Sequence, residues 1–187
     1  MECVAIITPS RPDRGPLLVE ACRSVVDQDY EPTAISHLLD LDHDGEGPAK
    51  LRNALARKAT ECGADWLGFL DDDDRLHPHH VSTLVRVGRE TGADVVGSYC
   101  DFDGPPLPPI HCNRPFRWPE LRRRGVFPIT VLVRPATFWA AGGFGDERYE
   151  DWELWKRIYR NGGRIHIEPV VTWTYRTAHA DRRTVTG

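Results

Sequence analysis

The stretch "ADWLGFLDDDDRLHP", residues 64 to 78, decides the reading of this chain. A short apolar run ends abruptly in four consecutive aspartates, Asp71 to Asp74. The run has the length and composition of a buried strand. Adjacent carboxylates repel one another, so this strand end calls for a positive counterpart. A hard divalent cation such as Mg2+ or Mn2+ takes oxygen ligands, typically one or two carboxylates together with substrate phosphates. Asp71 and Asp73 are two apart, so on an extended chain they point the same way and Asp72 points elsewhere. The plainer alternative is a solvated acidic turn capping a helix that starts near Pro78. The buried strand before the aspartates and a second acidic strand end upstream favour the cation.

Outward from this stretch the first hundred residues alternate. "CVAIITP" ends at Pro9 and reads as a strand, and "GPLLVEACRSVVDQ" carries apolar residues at helical spacing. "AISHLLDLD" reads as a strand running into acid. "PAKLRNALARKATECG" reads as a helix with Pro48 in its first turn and Gly63 past its end. After the aspartates, "PHHVSTLVRVGRETG" is a helix closing near Gly92, and "ADVVGSYC" is a further strand. Apolar strands alternating with helices predict an α/β fold with a mostly parallel, Rossmann-like sheet flanked by helices. Ligands bind such sheets beyond the carboxyl ends of the strands. Thr8-Pro9-Ser10-Arg11, Asp40 with Asp42, and Asp71 to Asp74 all fall at such ends.

Beyond residue 100 the rhythm breaks. The proline-rich segment 104 to 119 is either a connector or a loop over the site, with His111, Arg114 and Trp118 as its candidate contacts. "ITVLVRP" reads as a strand, "YEDWELWKRIYRNGG" as a helix ended by Gly162-Gly163, and "RIHIEP" and "VVTWTYRT" as two closing strands. The whole is expected to be a single domain, 1–187, with a nucleotide-binding half (1–100) and an acceptor or catalytic half (101–187).

Composition bounds the function. Of the 187 residues, 40% are hydrophobic, enough for a core, and the net charge is −4, from 24 Lys+Arg against 28 Asp+Glu. That balance gives no general attraction to nucleic acid or to an anionic membrane, so no nucleic acid partner is expected. No apolar run approaches 18 residues, so no membrane span is expected. The N-terminus has no basic lead before its short apolar run and does not read as a signal peptide. Five scattered cysteines without a Cys-x-x-Cys pair indicate reduced thiols and a cytoplasmic location.

Three further patterns were weighed. Asp40, Asp42, Asp44 and Gly45 match the first half of an EF-hand loop, but position twelve is Leu51 and the pattern follows a strand. His77, His79 and His80 read as a helix start, because hard cations prefer oxygen. In "GGFGDERYEDWELWKRI", Glu150 and Asp151 open a helix, where the dipole favours carboxylates. Trp152, Trp155 and Ile158 mark that helix's buried stripe. A carboxylate held at a fixed helix start also suits a general base.

Together, "SVVDQDY", "LRNALARKA", "ADWLGFLDDDDRLHP", "GGFGDERYEDWELWKRI" and "YRTAH" resemble, in order and rough spacing, the inverting GT-A fold glycosyltransferases of family 2. The resemblance implies a nucleotide-diphospho-sugar donor, UDP- or GDP-linked, a hydroxyl acceptor, and Mn2+ or Mg2+. By that match "LDDDD" stands in the Asp-x-Asp position. Asp71 reaches the donor and Asp73 holds the metal, with Asp71 and a late His179 as further metal contacts and Asp72 on the donor side. Glu150-Asp151 takes the place of the Glu-Asp motif, with Asp151 as base. Thr8, Pro9, Arg11, and Asp40 or Asp42 fall in the nucleoside pocket, and Arg52 with Asn53 in an Arg-Asn element. The usual Asp-Asp-Gly-Ser is here "DLDHDGEG", which leaves the pocket carboxylate open between Asp40 and Asp42. The competing functions are a catalytically degenerate GT-A domain and a sugar-nucleotidyltransferase. The second would carry a glycine-rich phosphate loop after the first strand, where "TPSRPDRG" has one glycine.

Overall fold

The structure is a computed structural model that describes residues 1–104, 113, 118–122 and 128–177. Strand β1 (Val4–Ser10) leads through a 3-10 turn at Pro12–Arg14 into helix α1 (Gly15–Val26). Then come β2 (Ile35–Leu41), α2 (Pro48–Glu61), β3 (Trp66–Phe69), the short β4 (Arg75–Leu76), α3 (His80–Thr91) and β5 (Val95–Asp103). The second half contributes α4 (Trp118–Leu121), β6 (Val131–Val133), α5 (Pro135–Ala140), α6 (Glu150–Arg160) and β7 (Ile165–Arg176).

The seven strands form one sheet in the order β2-β1-β3-β6-β5-β7-β4. The long pairings, β1 with β2 and β3 and β5 with β7, are parallel. The short ones, made by β6 and β4, are antiparallel. Strand β6 lies between β3 and β5, so the second half of the chain completes the middle of a sheet that the first half begins. The expected pair of closing strands is one strand. Pro169 cannot donate to the ladder, and the pairing of β7 with β5 shifts register between Ser98 and Cys100. The strand therefore bulges there without ending.

Both faces of the sheet are covered, which is why its central strands read as unbroken apolar runs. Alternate residues serve opposite cores. Ala5, Ile7, Leu67, Phe69, Val131 and Val133 pack with α2, α5 and α6. Val4, Ile6, Trp66 and Leu132 pack with α1 and α3. Helix α3 lies so close to the sheet that a Cβ at Gly88 would come 2.5 Å from the Trp66 ring. Gly92, in the left-handed region at φ 65°, ends that helix as its position past the apolar stripe predicts. Among the described residues no helix is long and apolar enough to cross a membrane.

Candidate active site

The carboxyl ends of β1, β2 and β3 lie side by side, and each delivers polar groups to one rim. On β1, Thr8 is fully buried and its hydroxyl lies 2.9 Å from His37 Nε2. Burial holds the His37 ring below the usual histidine range. Pro9 stands in register with Asp40, and exposed Arg11 pairs with Asp13 at 3.2 Å. The two carboxylates of β2's end differ. Asp42 accepts the N–H groups of Gly47 (2.9 Å) and Glu46 (2.8 Å), which hold it below the ordinary carboxylate range and fold the loop into α2. Asp40 is exposed and accepts only the N–H of Leu41, at 2.9 Å, among the described residues.

The aspartates after β3 do not stay extended. The Asp74 N–H donates to the Asp71 carbonyl at 3.2 Å, so the segment turns. The turn separates Asp72 from the others. Asp72 points inward, accepts the Ser10 hydroxyl at 2.5 Å and lies 3.5 Å from Arg14. Asp71, Asp73 and Asp74 converge instead, each offering a carboxylate oxygen within 4.8 Å of the others. Asp74 is 2% exposed; one oxygen accepts the Arg176 N–H at 2.9 Å, and the other is buried with no partner among the described residues. Burial, then the charge of Asp71, pushes the carboxyls of Asp73 and Asp74 above their ordinary range, Asp74 well above it. Three oxygen donors of one sign, including an orphaned buried oxygen, fit a hard divalent cation.

Arg52 connects this turn to α6. Its side chain is 6% exposed, and it donates to Asp71 at 2.5 Å and to Glu150 at 2.8 Å. Burial works against its charge, but Asp71 and then Glu150 more than offset that. The neighbouring Asn53 donates to the Phe144 carbonyl at 2.7 Å and accepts the Phe144 N–H at 3.0 Å. That clamp needs Gly143, which sits at φ +68° and would put a Cβ 2.7 Å from Asn53 Oδ1. Two adjacent residues of α2 thus set where α6 begins relative to the aspartate turn. At that beginning Asp151 accepts the Trp152 N–H at 2.7 Å and has no ion pair among the described residues. Burial pushes its carboxyl up to about 6, with the charge of Glu150 adding to the rise.

Of the predicted residues that are described, Asp71, Arg52 and Glu150 are in direct contact and Asp73 lies beside Asp71, while Thr8 and Pro9 are buried; the other differences are three. Asp74 joins Asp71 and Asp73, Asp72 turns inward, and Asp42 serves its own loop. Sequence reasoning passed over Arg14 and Arg176, and named Ser10 only as part of a strand end; these residues hold Asp73, Asp74 and Asp72. The signal for Arg14 and Ser10 was their place in the polar end of the first strand. His80 opens α3 as expected and lies 2.7 Å from the Thr172 hydroxyl; burial drives its ring down to about 3, against the opposing pull of Thr172. His179, His111, Arg114 and most of the proline-rich segment lie outside the described residues.

Solved structures share this architecture. S. aureus TarS 1-349 in complex with UDP-GlcNAc aligns with a TM-score of 0.80 at 17% identity, covering 100% of this chain and 62% of that one. The same protein in complex with UDP aligns at 0.74 and 17% identity, covering 95% and 61%. The mannosyltransferase PcManGT from Pyrobaculum calidifontis, in complex with GDP-Man and Mn2+, aligns at 0.69 and 15% identity, covering 92% and 56%. This chain thus spans less than two thirds of each of these proteins. No curated protein matches the sequence. The Glycosyl transferase family 2 model matches residues 36–141, from within β2 to the end of α5. With more than half of its length so matched, on this fold, the chain belongs to glycosyl transferase family 2.

Proposed function

We propose that the chain transfers a sugar from a UDP- or GDP-linked donor to an acceptor hydroxyl, with inversion at the anomeric carbon, in the cytoplasm. The observation that carries this reading is the Arg52 bridge, which joins the aspartate turn to the start of α6. The bridge supports it because it sets the carboxylates proposed for the cation beside the helix start that carries the proposed base. Mn2+ or Mg2+ held by Asp71, Asp73 and Asp74 supplies the positive charge that offsets charge developing on a departing diphosphate.

The protein's own groups do the rest. Exposed Arg11 and Asp40 would line the rim where a nucleoside lies, Thr8 and Pro9 are buried beneath it, and Asp42 shapes the loop behind it. Asp72 supports the turn from beneath through Ser10. Asp151, with a carboxyl poised at about 6, takes the proton of the acceptor hydroxyl as that oxygen attacks. Glu150 stays bound to Arg52 and holds the helix start in place. A single positioned base suffices for one displacement, which inverts the configuration and leaves no covalent intermediate.

The test incubates the chain with Mn2+ and a panel of nucleotide-sugars. Release of nucleoside diphosphate, with an inverted anomer by NMR, supports the reading. Pyrophosphate chemistry would instead make it a nucleotidyltransferase, and binding without turnover a degenerate domain.

A further inference from the structure

The carboxylates of the aspartate turn are held by three arginines in three different ways. Arg52 is buried, bonded on both sides and flanked by the Asn53 clamp, so it belongs to the scaffold. Arg176 spends its backbone N–H on Asp74 and its guanidinium on the Asp73 carbonyl and Glu20. Arg14 differs from both. It ends the 3-10 turn at the head of α1, and its side chain remains 18% exposed. Its Nη1 donates to Asp73 Oδ2 at 2.8 Å and lies 3.5 Å from Asp72. Among the described residues its Nε and Nη2 have no partner. Arg14 thus covers one oxygen of the three-carboxylate cluster while half of its fork stays unused.

A divalent cation and Arg14 compete for that oxygen, since a carboxylate oxygen held by a guanidinium has less charge and less room to offer a metal. A freed guanidinium beside the turn presents a planar fork that suits phosphate oxygens. Resting on the glycosyltransferase reading above, we propose that Arg14 is an exchangeable counter-cation. It neutralises Asp73 in the ligand-free chain, would surrender that carboxylate when a divalent cation is bound, and would then pair with the donor's diphosphate.

The proposal predicts effects of opposite sign from one substitution. Free Mn2+ is titrated by electron paramagnetic resonance without nucleotide, and UDP and GDP are then titrated calorimetrically at saturating Mn2+. Arg14→Gln should bind Mn2+ alone about tenfold more tightly, the loss of one charge-assisted competitor. It should bind UDP or GDP with Mn2+ about tenfold more weakly, with Arg14→Lys in between. Arg23→Gln, on the exposed side of α1, makes the same change in net charge and should move neither affinity more than twofold. Weaker or unchanged Mn2+ binding in Arg14→Gln would make Arg14 an organiser of the turn and overturn the proposal. Unchanged nucleotide binding, or equal tightening in Arg23→Gln, would overturn it as well. A wild-type chain that binds neither Mn2+ nor either nucleotide breaks the glycosyltransferase reading itself, which is a different result from any of these.

Discussion

The aspartate turn and the start of α6 treat their carboxylates in different ways. On the aspartate turn every side chain has a cation or a donor against it: Arg52 on Asp71, Ser10 on Asp72, Arg14 on Asp73, the Arg176 N–H on Asp74. At the start of α6, Asp151 accepts, among the described residues, only the N–H of its neighbour Trp152, and burial lifts its carboxyl to about 6. In the first arrangement burial and mutual repulsion raise the Asp73 and Asp74 carboxyls as well, and a cation among the three would relieve that repulsion. The second leaves a carboxylate short of stabilising partners, so it holds a proton more strongly than an ordinary aspartate. Under the proposed function, cation binding and proton acceptance call for these two environments, and Arg52 bonds to both segments.

The sharpest way to break this contrast is Asp151→Asn. Transfer should fall by about two to four orders of magnitude, the range for a positioned base. Affinity for UDP or GDP with Mn2+ should stay near wild type, as read by calorimetry. A comparable loss of nucleotide affinity would merge the two sides into one binding surface. Below pH 6 the protonated form of Asp151 should reduce wild-type turnover, giving a pH profile with an acid limb near 6 that the Asn variant lacks.

Arg52→Leu attacks the link. Removing the cation leaves Asp71 and Glu150 partly buried and uncompensated, which should cost about 3 kcal/mol of stability in denaturant unfolding. A loss below about 1 kcal/mol would mean that the bridge holds neither side in place.

A smaller effect concerns stability and pH in the metal-free chain. The carboxyl of Asp151 lies at about 6 when folded, above the ordinary 3.8. The folded state therefore holds that proton more tightly than the unfolded state. Stability from this group is complete below about pH 4 and declines as pH rises through about 6. Asp151→Asn should accordingly stabilise the chain by about 2 kcal/mol at pH 8 and by little at pH 4, in melts with a chelator present. Equal gains at both pH values would show that the carboxylate is not the strained group. The smallest effect is Ser10→Ala, which removes one hydrogen bond to Asp72 and should cost about 1 kcal/mol. Mn2+ affinity should change little, since Asp72 faces away from the cluster.

Much of this was legible in the residues. Unbroken apolar runs marked the strands that bury both faces, and proline and glycine marked the ends of α2 and α3. The aspartates appeared after a buried strand, and Glu150-Asp151 appeared at a helix start. Local chemistry determines such features, because backbone propensity and side-chain alternation act over a few residues. Which carboxylates meet was decided only by the tertiary structure. An extended chain pairs Asp71 with Asp73, whereas the turn brings in Asp74 and sends Asp72 to Ser10. The Arg52–Glu150 contact spans 98 positions, and Arg14 reaches Asp73 across 59. Contacts of that range depend on how helices pack over the sheet and on β6 completing its middle, and no local pattern encodes them.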